Sequence, residues 1–500
     1  MFSKRANMFV YICVALFILL VARLSYIVIQ NGRTYETMAR KQQIREITVK
    51  NIRADIYDRN GVKLTDVATE KLYLTQKGTL SHKKIDSRFE INTKKRNSGM
   101  ANHLIGYTSP DGRGVCGIES EFDFVLKTKG KVQLSYMADA TDSPLGSYRL
   151  TTDKHETKAG VNLTIDARIQ EVTLSVMKEH IKKGAAVVLD CKNFDVLAMV
   201  SLPDYDASAI ESYKDSKNGE FLNRAVLGYN AGSVFKIVTA SAALEKNPLY
   251  IQRGFDCRGS YVLPDGSVFC CHKKDGHGMV SFNDAFALSC NCSYYLTASE
   301  VGGTDIINKA KDFGMGSELL NVNLQENPGN LPIKNEYTNG DVLNISIGQG
   351  EILVSPLQCA VMAATVANGG IRRDVNIVAG YTDDEGTAYD LKKTMSYKVT
   401  EPQTASEISQ MMRKCVLEGT AKSAADATAN IAGKTGSAET GWIENGTQLV
   451  HGWFAGFFPF ENPRYAAVVF SEGGRSGAGS CVEPFVRIAE KINEIYPFKQ

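Results

Sequence analysis

Val161-Asn162-Leu163-Thr164-Ile165 reads as a strand, and the residues after it decide the fold. Apolar and polar side chains alternate there, and Asp166 stands where a helix N-cap is expected. Across Ala167–Lys182, Ile169, Val172, Val176 and Ile181 recur at helical spacing. Two apolar runs follow, Ala185–Leu189 and Val196–Val200, and they read as paired strands joined through Lys192-Asn193-Phe194-Asp195. A strand, a long helix and a hairpin in that order open an α+β domain. The far end has the same character. Gly452–Phe458 and Tyr465–Phe470 read as strands, and Val486–Tyr496 as a closing helix.

Upstream, residues 30–160 alternate short β-rich runs with charged turns, such as Ala54–Tyr57 ending at Asp58-Arg59-Asn60-Gly61. Leu80–Ser98 is dense in Lys and Arg and reads as a solvated face or loop. Met8–Ile29 is apolar apart from Arg23, close to the roughly 20 residues a bilayer core needs. Around Val21–Leu24 the small residues of a signal-peptide cleavage site are absent, so an uncleaved anchor is expected. Lys4 and Arg5 precede this span while Arg33, Arg40, Lys41 and Arg45 follow it, and charge alone leaves its orientation open. The division expected is a tail over 1–7, a membrane anchor over 8–29, an N-terminal domain over 30–160 and the α+β domain over 161–500.

A chain of 500 residues suggests two or three domains. With 57 Lys and Arg against 55 Asp and Glu, the net charge of +2 argues against a nucleic-acid partner. Eleven cysteines are too few and scattered for a disulfide scaffold. Cys13, Cys116, Cys191, Cys359, Cys415 and Cys481 stand alone and read as small buried hydrophobes.

Three short motifs carry chemistry. In Gly232-Ser233-Val234-Phe235-Lys236, a Ser and a Lys three apart open an apolar helical run and share one face. That brings an amine within reach of a hydroxyl, as an activated nucleophile requires. Ser81–Lys84 and Ser175–Lys178 have the same spacing and read as coincidences. Ser289-Cys290-Asn291 follows the apolar stretch Phe282–Leu288, so a tight turn can aim a hydroxyl and an amide into one cleft. Gly433-Lys434-Thr435-Gly436-Ser437 is no phosphate loop, since Thr428 stands where that motif needs Gly. It reads as an edge strand beside which a peptide can lie. The order Ser-x-x-Lys, Ser-x-Asn, Lys-Thr-Gly is that of penicillin-binding proteins and class A β-lactamases.

The chain resembles the class B penicillin-binding proteins, the monofunctional peptidoglycan D,D-transpeptidases of division and sporulation type. The likeness runs from Arg53–Gly61, through His103–Tyr107 with Gly117-Ile118-Glu119, to Leu222–Ala225, Ser346–Gly350, Ser355–Gln358 and His451–Gly456. It implies a serine β-lactamase-like transpeptidase domain, an antiparallel sheet flanked by helices, on an elongated N-terminal pedestal with one transmembrane helix. Ser437 departs from the Thr most members carry, yet keeps the hydroxyl. No glycosyltransferase domain is expected before the pedestal, and no appended C-terminal domain after the last helix. By the same resemblance, Ser233 attacks the carbonyl between two terminal D-Ala residues of a stem peptide. Lys236, kept neutral by a cationic neighbour and partial burial, is the general base. Ser289 relays the proton, and Asn291 holds the donor amide and Lys236. Lys434, Thr435, Gly436 and Ser437 bind the substrate's terminal carboxylate, and backbone N–H groups of Ser233 and Ser437 form the oxyanion hole. The substrate lies outside the membrane, which implies a single-pass bacterial membrane protein with a cytoplasmic N-terminus and an extracytoplasmic catalytic domain. Implied partners are stem peptides, β-lactams as inhibitors and a membrane glycosyltransferase. Arg53, Asp58 and Arg59 read as a structural ion-pair turn, Glu119, Asn223 and Arg224 as scaffold, and Trp453 as core.

The chemistry requires no cofactor. A structural zinc is nonetheless suggested by Cys257, Cys270, Cys271, His272, His277, Cys290 and Cys292, crowded into 36 residues. Three thiolates and an imidazole make a closed tetrahedral site. Cys257, Cys271, His277 and Cys290 are the ligands expected, bracing the second motif from behind. A Cys257–Cys271 disulfide and free buried thiols are the alternatives. For function, the alternatives are a serine β-lactamase or D,D-carboxypeptidase, in which water resolves the acyl-enzyme, and a non-catalytic wall-synthesis scaffold.

Overall fold

The computed structural model describes residues 2–97, 99–109, 111–153, 157–207, 209–444, 446–474 and 476–498. Met1 of the tail and Ser98 of the basic stretch lie outside the described residues. The chain divides into two compact units. One holds Met1–Arg53, Thr69–Lys94 and Thr128–Glu156, the other Ala54–Ala68, Lys95–Lys127 and Thr157–Gln500. The units therefore do not follow a single cut at residue 160: two upstream stretches join the larger one. Asp55–Tyr57 shows why, pairing in parallel with Gly160–Leu163 in a four-stranded sheet of the larger unit.

In the smaller unit, helix α1 runs Phe2–Gln43, well past the apolar segment that ends at Ile29. Residues 30–43 are polar, yet their own contacts continue the helix. Arg40 pairs with Glu36 at 2.9 Å and the Thr37 hydroxyl donates to Arg33 O at 2.8 Å. Cys13, on this helix, is exposed rather than buried. Two three-stranded sheets share a core of Leu72, Leu74, Ile91, Leu134, Tyr136 and Ala138. The basic stretch is not a loop, because Ser87–Asn97 is one of these strands. Ile91 and Thr93 are buried while Arg88, Glu90, Asn92 and Lys94 between and around them are exposed, a period-two pattern hidden by charge density.

The larger unit is built on a five-stranded sheet, whose strands are numbered here in chain order. Gly184–Asp190 (β1) and Val196–Leu202 (β2) form the expected hairpin, and Ala432–Glu444 (β3), Thr447–Phe458 (β4) and Tyr465–Gly474 (β5) complete it. The order is β2-β1-β5-β4-β3, with every neighbouring pair antiparallel. The third sequence motif thus lies on an edge strand. β2 is buried throughout, without alternation, as in a strand covered on both faces.

The helices that matter are Ala167–His180 (α2), Lys236–Lys246 (α3), Phe282–Ala287 (α4), Asn291–Val301 (α5), Pro356–Ala367 (α6), Pro402–Leu417 (α7) and Val482–Ile495 (α8). Asp166 caps α2, its carboxylate accepting from Arg168 N and Ile169 N. α2 and α8 pack together against the sheet, while α6 packs on it with α7. α6 is buried from Pro356 to Val366, apolar almost all round, which makes it the core helix of the unit. Trp453 is fully buried, its indole N–H donating to Asn230 O at 3.0 Å. Asp58 holds its turn by accepting from Asn60 N and Val62 N, both at 2.7 Å, and from Ala167 N at 3.1 Å.

Arg224 is buried scaffold. Its guanidinium pairs with Glu472 and donates to Gly219 O at 2.8 Å and Asn218 O at 3.1 Å. Removing the buried guanidinium leaves half-buried Glu472 without its partner and the two carbonyls without their donors. Arg224→Ala is therefore expected to cost about 3 kcal/mol, read as a lowered Tm, and an unchanged Tm would contradict the role.

Candidate active site

Gly232–Phe235 forms a single 3-10 turn that runs into α3, so Ser233 sits just before the α-helix proper. Glycines press this turn against β3. Gly232 has φ +57°, and a Cβ there would lie 2.5 Å from Ser437 O. A Cβ on Gly436 would lie 2.9 Å from Val234 Cγ1. Gly232 N donates to Gly348 O at 2.9 Å, which ties the turn to the Ser346–Gly350 block. Ser233 is partly exposed, and its hydroxyl makes no hydrogen bond among the described residues.

Lys236, one turn on, is fully buried. Its Nζ donates to Ser289 O at 2.7 Å and to Asn291 Oδ1 at 2.8 Å, and lies 3.2 Å from Ser289 Oγ. The Tyr294 ring, unforeseen in the sequence though one turn beyond Asn291, lies beneath it at 5.2 Å. Burial holds the Lys236 amine well below the usual lysine range, and the charge of Lys434 adds to the effect. Burial is complete rather than partial and is the larger cause. A neutral amine has two N–H donors and one lone pair. The two acceptors at 2.7 and 2.8 Å use both donors, which leaves the lone pair for the proton of the Ser289 hydroxyl at 3.2 Å or of an attacking nucleophile.

The second motif owes its shape to α4 and the turn after it. Ser281 and Asp284 form a capping box, and Asp284 also pairs with Lys414 of α7 at 2.6 Å. Beyond α4, Ser289 takes φ +57°, a left-handed conformation costing a non-glycine residue about 1–2 kcal/mol. That reversal sends Ser289 and Asn291 to Lys236 and leaves Cys290 fully buried at the start of α5.

On β3, Thr435 and Ser437 are two residues apart and share a face. Ser437 is exposed and its Oγ accepts from Gly477 N at 3.1 Å, while Thr435 is buried and its hydroxyl bonds that of Thr420. Lys434 lies on the other face, fully buried, its Nζ donating to Thr435 O at 3.0 Å above the Phe286 ring. Burial pushes its amine down as well. Of the two coincidental Ser-x-x-Lys matches, Ser175 and Lys178 are exposed on α2, and Lys84 is exposed beyond the short strand Leu80–Ser81.

The cysteine-rich segment folds into two small hairpins. Gly254–Cys257 pairs with Gly278–Ser281, setting Cys257 opposite Gly278 and so beside His277, and Cys271 N donates to Gly259 O at 2.8 Å. The donor atoms of Cys257, Cys271, His277 and Cys290 all lie within 4.8 Å of one another. Cys257 Sγ and Cys271 Sγ are each 3.6 Å from His277 Nδ1. A tetrahedral zinc with Zn–S near 2.3 Å and Zn–N near 2.0 Å separates its donors by about 3.5–3.8 Å, so the four residues fit. All eleven cysteines are free, including Cys257 and Cys271. The Cys290 and Cys292 thiols donate to Cys271 and hold it far below the usual thiol range. Burial favours the neutral His277 imidazole that a metal needs.

Residues 184–493 match the family model described as penicillin binding protein transpeptidase domain. The chain is 25% identical to Stage V sporulation protein D of Bacillus subtilis, covering 95% of this chain and 82% of that protein. It is 31% identical to Penicillin-binding protein PbpB of Mycolicibacterium smegmatis over 76% of this chain, spanning 60% of that longer protein. A solved chain described as "Structural coordination of polymerization and crosslinking by a peptidoglycan synthase complex" is similar in fold, with a TM-score of 0.69, 22% identity and 99% of both chains covered. With more than half its length matched and the three motifs gathered at one edge of the sheet, the chain belongs to the penicillin-binding protein transpeptidase family.

Proposed function

We propose that this chain is a peptidoglycan D,D-transpeptidase that works through an acyl-enzyme on Ser233 and is inhibited by β-lactams. The observation that carries the reading is the buried Lys236 amine. It is bonded to Ser289 and Asn291 and stands one turn from a partly exposed serine. Ser233 Oγ attacks the carbonyl between the terminal D-Ala residues, and its proton passes to the Lys236 lone pair. The N–H groups of Ser233 and Ser437 stabilise the oxyanion. As the tetrahedral centre collapses, Ser289 Oγ hands a proton to the departing D-Ala amine and recovers one from Lys236. A second stem peptide's amine then attacks the ester and restores Ser233. Thr435 and Ser437 receive the substrate's terminal carboxylate, with the Lys434 charge beneath them, and Asn291 steadies the donor amide.

Helix α1 is long and apolar enough to cross a membrane. In this reading it does so once, with a cytoplasmic N-terminus and the larger unit outside, where the substrate is found. A membrane glycosyltransferase partner supplies the glycan strands, a reading supported by the synthase complex that the chain resembles. The Cys257–Cys271–His277–Cys290 cluster holds a structural zinc that braces the backbone between Ser289 and Asn291 and takes no part in the reaction.

Intact mass after incubation with penicillin is expected to rise by one penicilloyl group, persisting for hours, and Ser233→Ala is expected to stay unlabelled. Fast release of the antibiotic would favour a β-lactamase, and Ser233→Ala growing normally in place of the wild type would favour a scaffold. Acylation should fall as pH drops through the Lys236 pKa and level off above it, since only the neutral amine accepts a proton. Lys434→Met removes the cationic neighbour and should move that acid limb to higher pH, so an unmoved limb would contradict the electrostatic coupling. Elemental analysis of reduced protein should find one zinc per chain, lost in Cys290→Ser, and background zinc in the wild type would end the metal reading.

A further inference from the structure

Behind Thr435 stands a row of hydrogen-bonding groups to which the reaction above gives no part. Thr420 follows α7 by three residues. Its hydroxyl bonds the Thr435 hydroxyl, and its Oγ1 lies 3.4 Å from the Sγ of Cys415, a fully buried thiol. Its N–H donates to Ala287 O at 3.1 Å, two residues before Ser289. Gly419 permits that approach, because a Cβ there would lie 2.2 Å from Ala287 O and 2.9 Å from Cys415 Cα. One residue therefore touches both the strand that carries the third motif and the helix end that carries the second.

The direction of these hydrogen bonds decides what they do. A carboxylate only accepts, so a hydroxyl that binds it must turn its single proton outward. That is favoured when the contact behind the hydroxyl is itself a donor. Ser437 meets the condition, since a backbone N–H, that of Gly477, donates to its Oγ. Thr435 has Thr420 in the equivalent place. We infer that Thr420 is a positioning residue for carboxylate recognition: Cys415 S–H donates to Thr420, Thr420 donates to Thr435, and the Thr435 proton is left for the substrate's terminal carboxylate. The inference rests on the reading of Thr435 and Ser437 as the carboxylate site.

The test uses the full-length protein in detergent and two ligands, a penicillin with its free carboxylate and the methyl ester of the same compound. Thr420→Val is expected to slow acylation by the acid about tenfold, the weight of one hydrogen bond to a charged group, and to leave the ester rate nearly unchanged. Thr420→Ser should restore the acid rate. A Thr420→Val rate equal to wild type on the acid, or an equal loss on both ligands, overturns the inference, the second outcome because it marks a purely structural role. Thr435→Val separates this from the reading beneath it. An acid-selective loss there with none in Thr420→Val overturns the inference alone, and no acid-selective loss in Thr435→Val overturns the carboxylate site and the inference together. If Thr420→Val does not fold, Cys415→Ala takes its place, with a smaller loss again confined to the acid, and absence of that loss overturns the relay.

Discussion

Lys236 Nζ has three oxygen neighbours and no carboxylate among them, at a position from which water is excluded. An ammonium there would be a buried charge with no carboxylate in contact and beside a second lysine, which costs several kcal/mol. A neutral amine removes that cost and spends its two N–H groups on Ser289 O and Asn291 Oδ1. The surroundings of the site follow from keeping this arrangement. Ser289 must reverse the chain at φ +57° for its carbonyl and hydroxyl to reach the same nitrogen. Lys434 must lie close by, buried, so that its charge bears on Lys236 through a low-dielectric interior.

Three separate pieces of scaffold hold the geometry. From one side, Gly232 and Gly436 let the Ser233 turn and β3 meet backbone to backbone. Behind, the fully buried Cys290 between Ser289 and Asn291 belongs to the four-residue cluster, so whatever binds that cluster bears on both motif side chains. Across the top, Thr420 joins Ala287 to Thr435 while Lys414 of the same α7 region pairs with Asp284 of α4. The strain at Ser289 is thus held by contacts on both flanks of one short turn, as a residue kept in a sparsely populated conformation requires.

Much of this was legible in the sequence because the relevant periodicities are local. The alternation of Val161–Ile165, the apolar runs of β1 and β2 and the Ser233–Lys236 spacing each report one element without reference to distant residues. The Cys257–Cys290 grouping was legible because soft ligands in one short segment have few other uses. What escaped depends on pairings far apart in sequence. The strand Ser87–Asn97 hid under its exposed charges, and α1 ran on past Gly32 through a polar stretch that offers the sequence no apolar period, where Glu36 pairs with Arg40. Asp55–Tyr57 joined the larger unit through pairing with Gly160–Leu163, about a hundred residues away. Thr420 carried no signal beyond a Gly after a helix, since its partners, Ala287 and Thr435, lie on two other elements.

The chemistry at Ser233 turns on the charge state of one nitrogen. Nitrogen-15 NMR of the lysine side chains, titrated on the protein without ligand and assigned by Lys236→Arg, reads it directly. A Lys236 Nζ resonance that is already that of a neutral amine at neutral pH is the predicted result. A Lys236 resonance that remains that of an ammonium until the pH range in which exposed lysines titrate would contradict it.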